Sequence, residues 1–156
     1  MSATVRWGFL STANINDKLL AGAAESDRVD VIAVASRDAA RAGAYARERG
    51  IQRAYGSYEE LLADPDLEAV YISLPNLLHV EWSIRALEAG KHVLCEKPLS
   101  RRPQDVERAF DVAEQSDRLL MEAFMYRHNP QTAKLEELVG GGAIGRLRLV
   151  RAAFSF

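Results

Sequence analysis

The chain is poor in several features that would assign it to other protein classes. Cys95 is its only cysteine, so no disulfide can form within the chain, as is usual in a reducing compartment. No apolar run approaches the about 18 residues of a membrane span, and the N-terminus lacks the basic and then apolar pattern of a secretion signal. Lys and Arg number 20 against 22 Asp and Glu. This near balance gives no attraction for a polyanion. We therefore expect a cytoplasmic protein with no membrane and no nucleic acid partner.

Reactive side chains in metal-binding patterns are also missing. The three histidines and Cys95 are not spaced with acidic residues as metal ligands are, so we expect no metal site. Cys95 lies in a short apolar run, where a cysteine behaves as a small hydrophobic residue, and we interpret it as a buried strand residue and not as a nucleophile.

The hydrophobic pattern predicts strands that alternate with helices. A chain of about 150 residues buries roughly 68–70% of its unfolded surface, which is enough for a true core. The predicted strands cover residues 5–10, 29–35, 54–55, 69–74, 92–95, 118–124 and 147–156, and the predicted helices cover 15–24, 39–49, 58–62, 77–89, 104–116 and 131–139. The helix 77–89 is expected to turn Leu77, Val80, Ile84 and Leu87 toward a sheet. This order predicts a doubly wound α/β fold with a mainly parallel sheet between two layers of helices.

One predicted strand ends in a pair of opposite charges. Gly90 is suited to end a helix, 92–95 is a bounded apolar run, and Glu96 and Lys97 follow it directly. Pro98 then prevents further ladder hydrogen bonds. Ligands of open parallel sheets bind at the carboxyl ends of the strands, so Lys97 is the predicted acid/base residue. The alternative interpretation is a solvated loop ion pair between Glu96 and Lys97.

The stretch after the first predicted strand consists of small and polar residues. A strand, a short turn and a helix can bind an anion, because free N–H groups at the helix start point at it. Ser11 and Thr12 add hydroxyl groups, and the side chains of Ala13 and Asn14 leave room for a pyrophosphate. The spacing alone also fits an ordinary turn.

The end of the second predicted strand bears on cofactor choice. NAD-specific domains usually place a carboxylate here for the ribose 2′-hydroxyl, whereas this chain has Ser36 and Arg37. A guanidinium beside a small hydroxyl suits a 2′-phosphate, so NADP is favoured over NAD. Asp38 is the nearest acid, and its position predicts a cap for the next helix. The alternative for Arg37 is a solvated side chain.

Three ordered blocks of the sequence resemble one known family. They are Ala89-Gly90-Lys91-His92-Val93-Leu94-Cys95-Glu96-Lys97-Pro98, Tyr71-Ile72-Ser73-Leu74-Pro75-Asn76-Leu77-Leu78-His79 and Met121-Glu122-Ala123-Phe124-Met125-Tyr126-Arg127. Together they resemble the glucose–fructose oxidoreductase / inositol dehydrogenase family, in register from about residue 5 to residue 156. The nearest branch is that of the dihydrodiol, xylose and glucose–fructose dehydrogenases.

The resemblance implies a Rossmann-like dinucleotide-binding domain over residues 1–140. Residues 141–156 would begin a truncated second α+β domain that binds substrate and forms the dimer face, and the strand 147–156 would be its first strand. The implied function is NADP-dependent hydride transfer between nicotinamide and a sugar or cyclic diol, catalytically incomplete in this fragment, by a homo-oligomer. The alternative is a non-catalytic NAD(P)-binding module or sensor.

The resemblance also assigns site residues. The family's glycine fingerprint falls on Ser11, Ala13 and Asn16, and Gly8 in the preceding strand is kept. The implied cofactor contacts are Gly8, Ser11, Thr12, Ala13, Asn14, Ile15, Ser36, Arg37, Leu74, Pro75, Asn76, His79, Glu96, Lys97, Tyr126 and Arg127, and Lys97 is also the implied catalytic residue. The alternatives are helix capping for Asn76, a partly buried helix position for His79, and packing for Tyr126 and Arg127. Asn129 stands where the family often has a histidine.

Burial decides whether Lys97 can act as a base. A side-chain amine is neutral near pH 7 only where burial or a nearby positive charge disfavours its charged form. We therefore expect the surroundings of a working site to cover Lys97.

Overall fold

The structure, a computed structural model, describes residues 4–153. The chain divides into two structural units, one ending at Ala123 and one starting at Phe124. This division precedes the expected domain boundary at residue 140, which stays a prediction. Within residues 4–153, no helix is long and apolar enough to cross a membrane.

The first unit is built on a six-stranded sheet in which every pair of neighbouring strands is parallel. Its strands are β1 (Val5–Leu10), β2 (Val29–Ala35), β3 (Arg53–Tyr55), β4 (Ala69–Ile72), β5 (His92–Cys95) and β6 (Leu120–Glu122). The order across the sheet is β3-β2-β1-β4-β5-β6. The chain therefore builds outward from β1 on one side and then from β4 on the other, which confirms the predicted doubly wound fold.

Five helices cover the sheet, and their ends follow local signals. They are α1 (Asn16–Ala24), α2 (Ala39–Arg49), α3 (Tyr58–Leu62), α4 (His79–Glu88) and α5 (Pro103–Gln115). The Asp38 carboxylate accepts the backbone N–H groups of Ala40 and Arg41 at 2.9 and 3.1 Å, which confirms it as the cap of α2. Gly50 ends α2 with φ of 68°, a conformation that glycine adopts without steric cost.

Both faces of the sheet are buried. On one face Leu10, Ile72 and Leu61 are completely buried in the larger cluster, together with α4 and α5 residues. On the other face Phe9 and Tyr71 pack edge to face, with ring centroids 5.5 Å apart. Burial on both sides explains why the strands are continuous apolar runs and not alternating patterns.

The segment after β4 differs from its prediction. β4 ends at Ile72, residues Asn76–Leu78 form a 3₁₀ turn, and α4 begins only at His79. The predicted cap by Asn76 is wrong, because the turn is closed by the backbone bond from the Leu78 N–H to the Pro75 carbonyl at 2.8 Å. Leu77 is 96% exposed and does not face the sheet, because the tighter turn carries it outward.

The edge strand is shorter than expected. β6 comprises Leu120–Glu122, and residues 118–119 and 123–124 of the predicted strand lie outside it. The reason is the length of its partner, since only Val93, Leu94 and Cys95 of β5 pair with it.

The second unit contains a 3₁₀ turn at Met125–His128 and helix α6 (Pro130–Gly140). Asn129 caps α6 by accepting the Gln131 N–H at 2.9 Å, and the helix confirms the one predicted over 131–139. Residues 147–153 form no strand, in contrast to the prediction for 147–156, because no strand within the described part of this unit offers them a hydrogen-bonding partner. Residues 154–156 lie outside the described range.

Replacement of Gly8 by alanine should destabilise the fold by about 1–3 kcal/mol, because the core beside β1 has no space for a methyl group. An added Cβ would lie 2.9 Å from Leu67 Cδ1 and 3.0 Å from Leu61 Cδ2, and both leucines are buried. Gly22→Ala is the matched control, because a Cβ there meets nothing within 4 Å, and alanine in a helix should gain about 0.5–1 kcal/mol. Urea denaturation of the chain measures both. Equal stability of the Gly8→Ala variant and the unaltered chain would contradict this packing account.

Candidate functional site

The candidate residues gather at one edge of the sheet. Ser11 follows β1, Ser73 follows β4 and Glu96 follows β5, and all strands run in the same direction. Because the strand order reverses between β1 and β4, the connections leave these two strands in opposite directions and open a crevice between them. This crevice is the candidate ligand site.

Side-chain hydrogen bonds hold the loop after β1 in place. The Ser11 and Ser73 hydroxyl oxygens lie 2.7 Å apart, and the Ser73 hydroxyl donates to Asn16 Oδ1 at 2.6 Å. The Asn16 side-chain amide donates in turn to the Ser11 carbonyl at 2.9 Å. The ring of contacts joins the ends of β1 and β4 to the start of α1.

This loop presents unused backbone donors. Among residues 4–153, no acceptor is within hydrogen-bonding geometry of the backbone N–H groups of Thr12, Asn14 and Ile15, whereas the Ala13 N–H donates to Ser11 Oγ at 3.1 Å. The three free groups stand directly before α1, where the helix dipole also favours an anion. The loop therefore fits a phosphate-bearing ligand. We call these three N–H groups the amide cradle.

Gly8 stands apart from the amide cradle. It lies inside β1, and its Cα faces the side chains of Leu61 and Leu67. In the structure, Gly8 therefore allows close packing of these two leucine side chains against β1.

The end of β2 carries one uncommitted cation. Ser36 is buried and its Oγ accepts the Asp38 N–H at 3.3 Å, while Asp38 caps α2. The Arg37 side chain is exposed and forms no hydrogen bond or ion pair with the residues 4–153 that the structure describes. The strand end therefore offers a guanidinium and no free carboxylate.

His79 joins the ends of β4 and β5. Its ring is completely buried, with Nε2 2.7 Å from the Leu74 carbonyl oxygen and Nδ1 2.9 Å from the Pro98 carbonyl oxygen. The ring is therefore fully buried and not the partly buried helix residue of the alternative interpretation. Its ring contacts the carbonyl groups of Leu74 and Pro98 and so supports the loops that contain them, and the cofactor contact of His79 stays a prediction.

Pro75 and Asn76 follow β4 with exposed side chains, whereas Leu74 before them is buried. The Asn76 side chain takes part in no hydrogen bond among residues 4–153, and with capping excluded it remains a candidate ligand contact.

A buried tyrosine anchors the acid of the charged strand end. The Tyr71 hydroxyl donates to Glu96 Oε1 at 2.6 Å. Burial and the neighbouring Glu96 carboxylate raise the pKa of Tyr71 far above its usual range, so this hydroxyl keeps its proton. Glu96 is thereby fixed at the end of β5.

Lys97 differs from its prediction in one respect. Its side chain is exposed, so the expected cover is not supplied by the described residues. No salt bridge within residues 4–153 involves Lys97. The alternative interpretation, an ion pair with Glu96 in the loop, is therefore excluded for this conformation. Lys97 therefore projects an uncommitted amine beside the crevice, and the peptide bond to Pro98 is cis.

The neighbouring strands complete this edge without adding reactive groups. Glu122 of β6 accepts the Leu99 N–H at 2.9 Å and so fixes the loop after Pro98. Cys95 is completely buried, and burial raises the pKa of its thiol to about 12, as expected for an inert strand residue. In the described part of the chain, no three His, Cys, Asp or Glu residues are grouped so that they could hold a metal ion.

Tyr126 and Arg127 belong to the second unit. Both lie in its 3₁₀ turn with exposed side chains, and the Tyr126 ring packs against Phe124 at a centroid distance of 5.6 Å. Their cofactor contacts stay predictions.

Three residues that organise the crevice were not among the sequence-based candidates: Asn16, Tyr71 and Ser73. The sequence did contain one signal for them, because each is a polar residue in or beside an apolar run that forms a buried element. Buried polar groups need hydrogen-bonding partners, so such residues are expected to make specific contacts. Sequence spacing did not reveal the partners, which are 57 residues away for Asn16 and Ser73 and 25 residues away for Tyr71 and Glu96.

The same fold and motifs occur in known proteins. Residues 5–124 match the model of an oxidoreductase family with an NAD-binding Rossmann fold. A D-xylose 1-dehydrogenase (NADP(+)) of Haloferax volcanii is 48% identical over 96% of this chain, which corresponds to 46% of that relative's length. A trans-1,2-dihydrobenzene-1,2-diol dehydrogenase of Danio rerio is 36% identical over 96% of this chain and 46% of its own length. The chain thus spans slightly less than half the length of these relatives.

A solved structure supports the same relationship. The crystal structure of KijD10, a 3-ketoreductase from Actinomadura kijaniata in complex with NADP and TDP-benzene, superposes with a TM-score of 0.81 at 38% identity, over 89% of this chain and 43% of that one. The sheet order, the strand-end motifs and these matches all indicate the same family. The chain belongs to the glucose–fructose oxidoreductase / inositol dehydrogenase family of oxidoreductases and contains its NAD-binding Rossmann fold.

Proposed function

We propose that this chain is the cofactor-binding half of an NADP-dependent oxidoreductase that transfers a hydride between nicotinamide and a sugar or cyclic diol. The observation that carries the proposal is the placement of the amide cradle at the β1–β4 reversal, with the uncommitted Lys97 at the end of the adjoining strand β5. One end of the crevice thus suits a pyrophosphate, and the other end has a group that can move a proton.

The pyrophosphate is held by the amide cradle of Thr12, Asn14 and Ile15. These donors are preorganised, because the loop is already fixed by the contacts among Ser11, Ser73 and Asn16. The small side chain of Ala13 allows the backbone to approach the phosphate closely. The Thr12 hydroxyl forms no hydrogen bond among residues 4–153 and adds a further donor.

Arg37 binds the 2′-phosphate that distinguishes NADP from NAD. A guanidinium forms forked, charge-assisted hydrogen bonds with phosphate oxygens, and no free carboxylate at the end of β2 opposes it. The relatives support this choice, since the Haloferax enzyme is named for NADP and KijD10 was crystallised with it.

Glu96 and Lys97 serve the reacting end of the cofactor. The nicotinamide supplies or receives the hydride when it is bound. Glu96, anchored by Tyr71, orients the strand end. In the oxidation direction, Lys97 accepts the proton of the substrate hydroxyl while the hydride leaves the carbon that bears it, and in the reduction direction Lys97 returns that proton.

The names of the relatives support the proposed substrate class. They describe dehydrogenation of D-xylose and of a cyclic trans-diol, and a 3-reduction of a dideoxy sugar nucleotide in Actinomadura kijaniata. Each reaction interconverts a hydroxyl-bearing carbon of a sugar or cyclic diol and the carbonyl formed from it. The cover for Lys97, the substrate contacts and the homo-oligomer face are assigned to a second half of the protein.

Arg37→Ala should weaken NADP binding about ten- to a hundredfold and leave NAD binding nearly unchanged, because only NADP has the 2′-phosphate and a lost charge-assisted bond costs about 1.5–3 kcal/mol. Titration of the chain with each cofactor, followed by fluorescence, measures the ratio. Arg47→Ala is the control, since Arg47 is another exposed arginine at the far end of α2. Equal losses for both cofactors would exclude Arg37 as the 2′-phosphate ligand.

Lys97→Ala should lower turnover by about 10²–10⁴ in a protein that carries both halves, the usual contribution of a general acid/base. Cofactor affinity should change far less, because the phosphate contacts lie at the other end of the crevice. Lys134→Ala removes an exposed lysine in the second unit and serves as the control. Turnover within tenfold of the unaltered enzyme would show that Lys97 does not move the proton.

A further inference from the structure

Ser11 adopts a backbone conformation that normally belongs to glycine. Its φ is 141°, and a side chain in this region of the Ramachandran map is strained. Residues in such conformations persist only where their surroundings hold them. The position is also the first of the three at which the dinucleotide fingerprint has glycine. Something in this chain must therefore compensate for the missing glycine.

The directions of the hydrogen bonds around Ser11 follow from the donors and acceptors present. Asn16 Oδ1 is solely an acceptor, so the single proton of the Ser73 hydroxyl is used in the 2.6 Å contact with it. Ser73 Oγ then accepts the proton of the Ser11 hydroxyl at 2.7 Å, and the Ser73 carbonyl oxygen, 3.2 Å from Ser11 Oγ, is a second and longer acceptor for the same proton. Ser11 Oγ in turn accepts the Ala13 N–H at 3.1 Å. The Asn16 side-chain amide closes the ring by donating to the Ser11 carbonyl at 2.9 Å.

Two of the three side chains in this ring are buried, and they are anchored on a helix and on a strand end. Asn16 is completely buried and Ser73 is 8% exposed, so water does not readily replace their contacts. Asn16 starts α1 and Ser73 follows β4, and the contact with Ser11 crosses from the end of β1 to the end of β4. Two contacts thus stabilise the strained conformation of Ser11: its side chain contacts Ser73, and its carbonyl accepts the Asn16 amide.

We propose that Ser73 and Asn16 are positioning residues that hold Ser11 in a glycine-like conformation and thereby set the shape of the amide cradle. The inference rests on the proposed function, in which that cradle binds the pyrophosphate. The Ser11 hydroxyl proton is consumed within the ring, so Ser11 acts on the cofactor through the backbone of Thr12 and Asn14 and not as a direct donor.

A pair of substitutions separates this role from direct ligand contact. Ser73→Ala removes both hydroxyl contacts of Ser73 and should weaken the binding of NADP and of NAD alike, about five- to tenfold, because the pyrophosphate is common to both. In a Ser11→Gly background, binding should no longer depend on Ser73, since glycine adopts this φ without support. The double variant Ser73→Ala/Ser11→Gly should therefore bind more tightly than Ser73→Ala and within about twofold of Ser11→Gly.

The measurements are fluorescence titrations of the 156-residue chain with NADPH and NADH. Ser83→Ala is the matched control, because Ser83 is also a buried serine, lies on α4 and takes no part in the ring around Ser11. It should leave both affinities unchanged. Urea denaturation of each variant identifies any loss of affinity that comes from unfolding, and rescue by glycine would not occur if Ser73 acted only by stabilising the fold.

The possible failures are distinguishable. If the unaltered chain binds NADPH and Ser73→Ala binds it equally well, the inference is overturned and the proposed function stands. The same holds if Ser73→Ala weakens binding and Ser11→Gly does not restore it. If the unaltered chain binds neither cofactor, the proposed function and this inference are overturned together.

Discussion

The adjacency of β1 and β4 is the constraint on which the candidate site depends. These strands are central to the sheet, and their connections diverge because the chain turns to opposite sides after each of them. Ser11 and Ser73 lie opposite each other only because Leu10 pairs with Ile72 at the ends of the two strands. A change in this register by one residue would separate the hydroxyl groups and also exchange the buried faces of the strands. Packing of the core and the contacts of the site therefore both require the same register between β1 and β4.

Side chains join the ends of four neighbouring strands, β1, β4, β5 and β6. Ser11 joins β1 to β4, His79 joins β4 to β5, and Glu122 joins β6 to the loop after β5. These contacts are short and partly or fully buried, whereas Arg37 and Lys97 are exposed and uncommitted. The fixed edge preorganises the backbone donors of the amide cradle, whereas the side chains of Arg37 and Lys97 are ordered only when a ligand binds.

Much of the fold could be predicted from the sequence, because its signals are local. The strands 5–10, 29–35 and 92–95 were predicted to the residue, since continuous apolar runs bounded by turn residues are typical of strands buried on both faces. The cap at Asp38 is likewise a property of a few adjacent residues. The motifs at strand ends were expected at one edge of the sheet, and the structure brings Ser11, Ser73 and Glu96 together there.

What could not be predicted depends on residues far apart in the chain. The contact between Ser11 and Ser73 joins positions 62 residues apart, and the strain at Ser11 depends on a backbone angle that the sequence does not reveal. The exposure of Leu77 follows from a 3₁₀ turn whose hydrophobic residues imitate a helix pattern. The strand predicted from residue 147 needs a pairing partner, and strand propensity alone does not provide one.

The amide cradle is the central claim, and titration of the ¹⁵N-labelled chain with NADP, followed by NMR of its backbone amides, tests it most directly. The account predicts that the amide signals of Thr12, Asn14 and Ile15 move progressively with NADP, because these three N–H groups become donors to the pyrophosphate. The amide of Gly22, at the opposite end of α1, should remain in place and serves as the internal reference. Binding that moves signals elsewhere and leaves the three cradle amides unchanged would contradict the account.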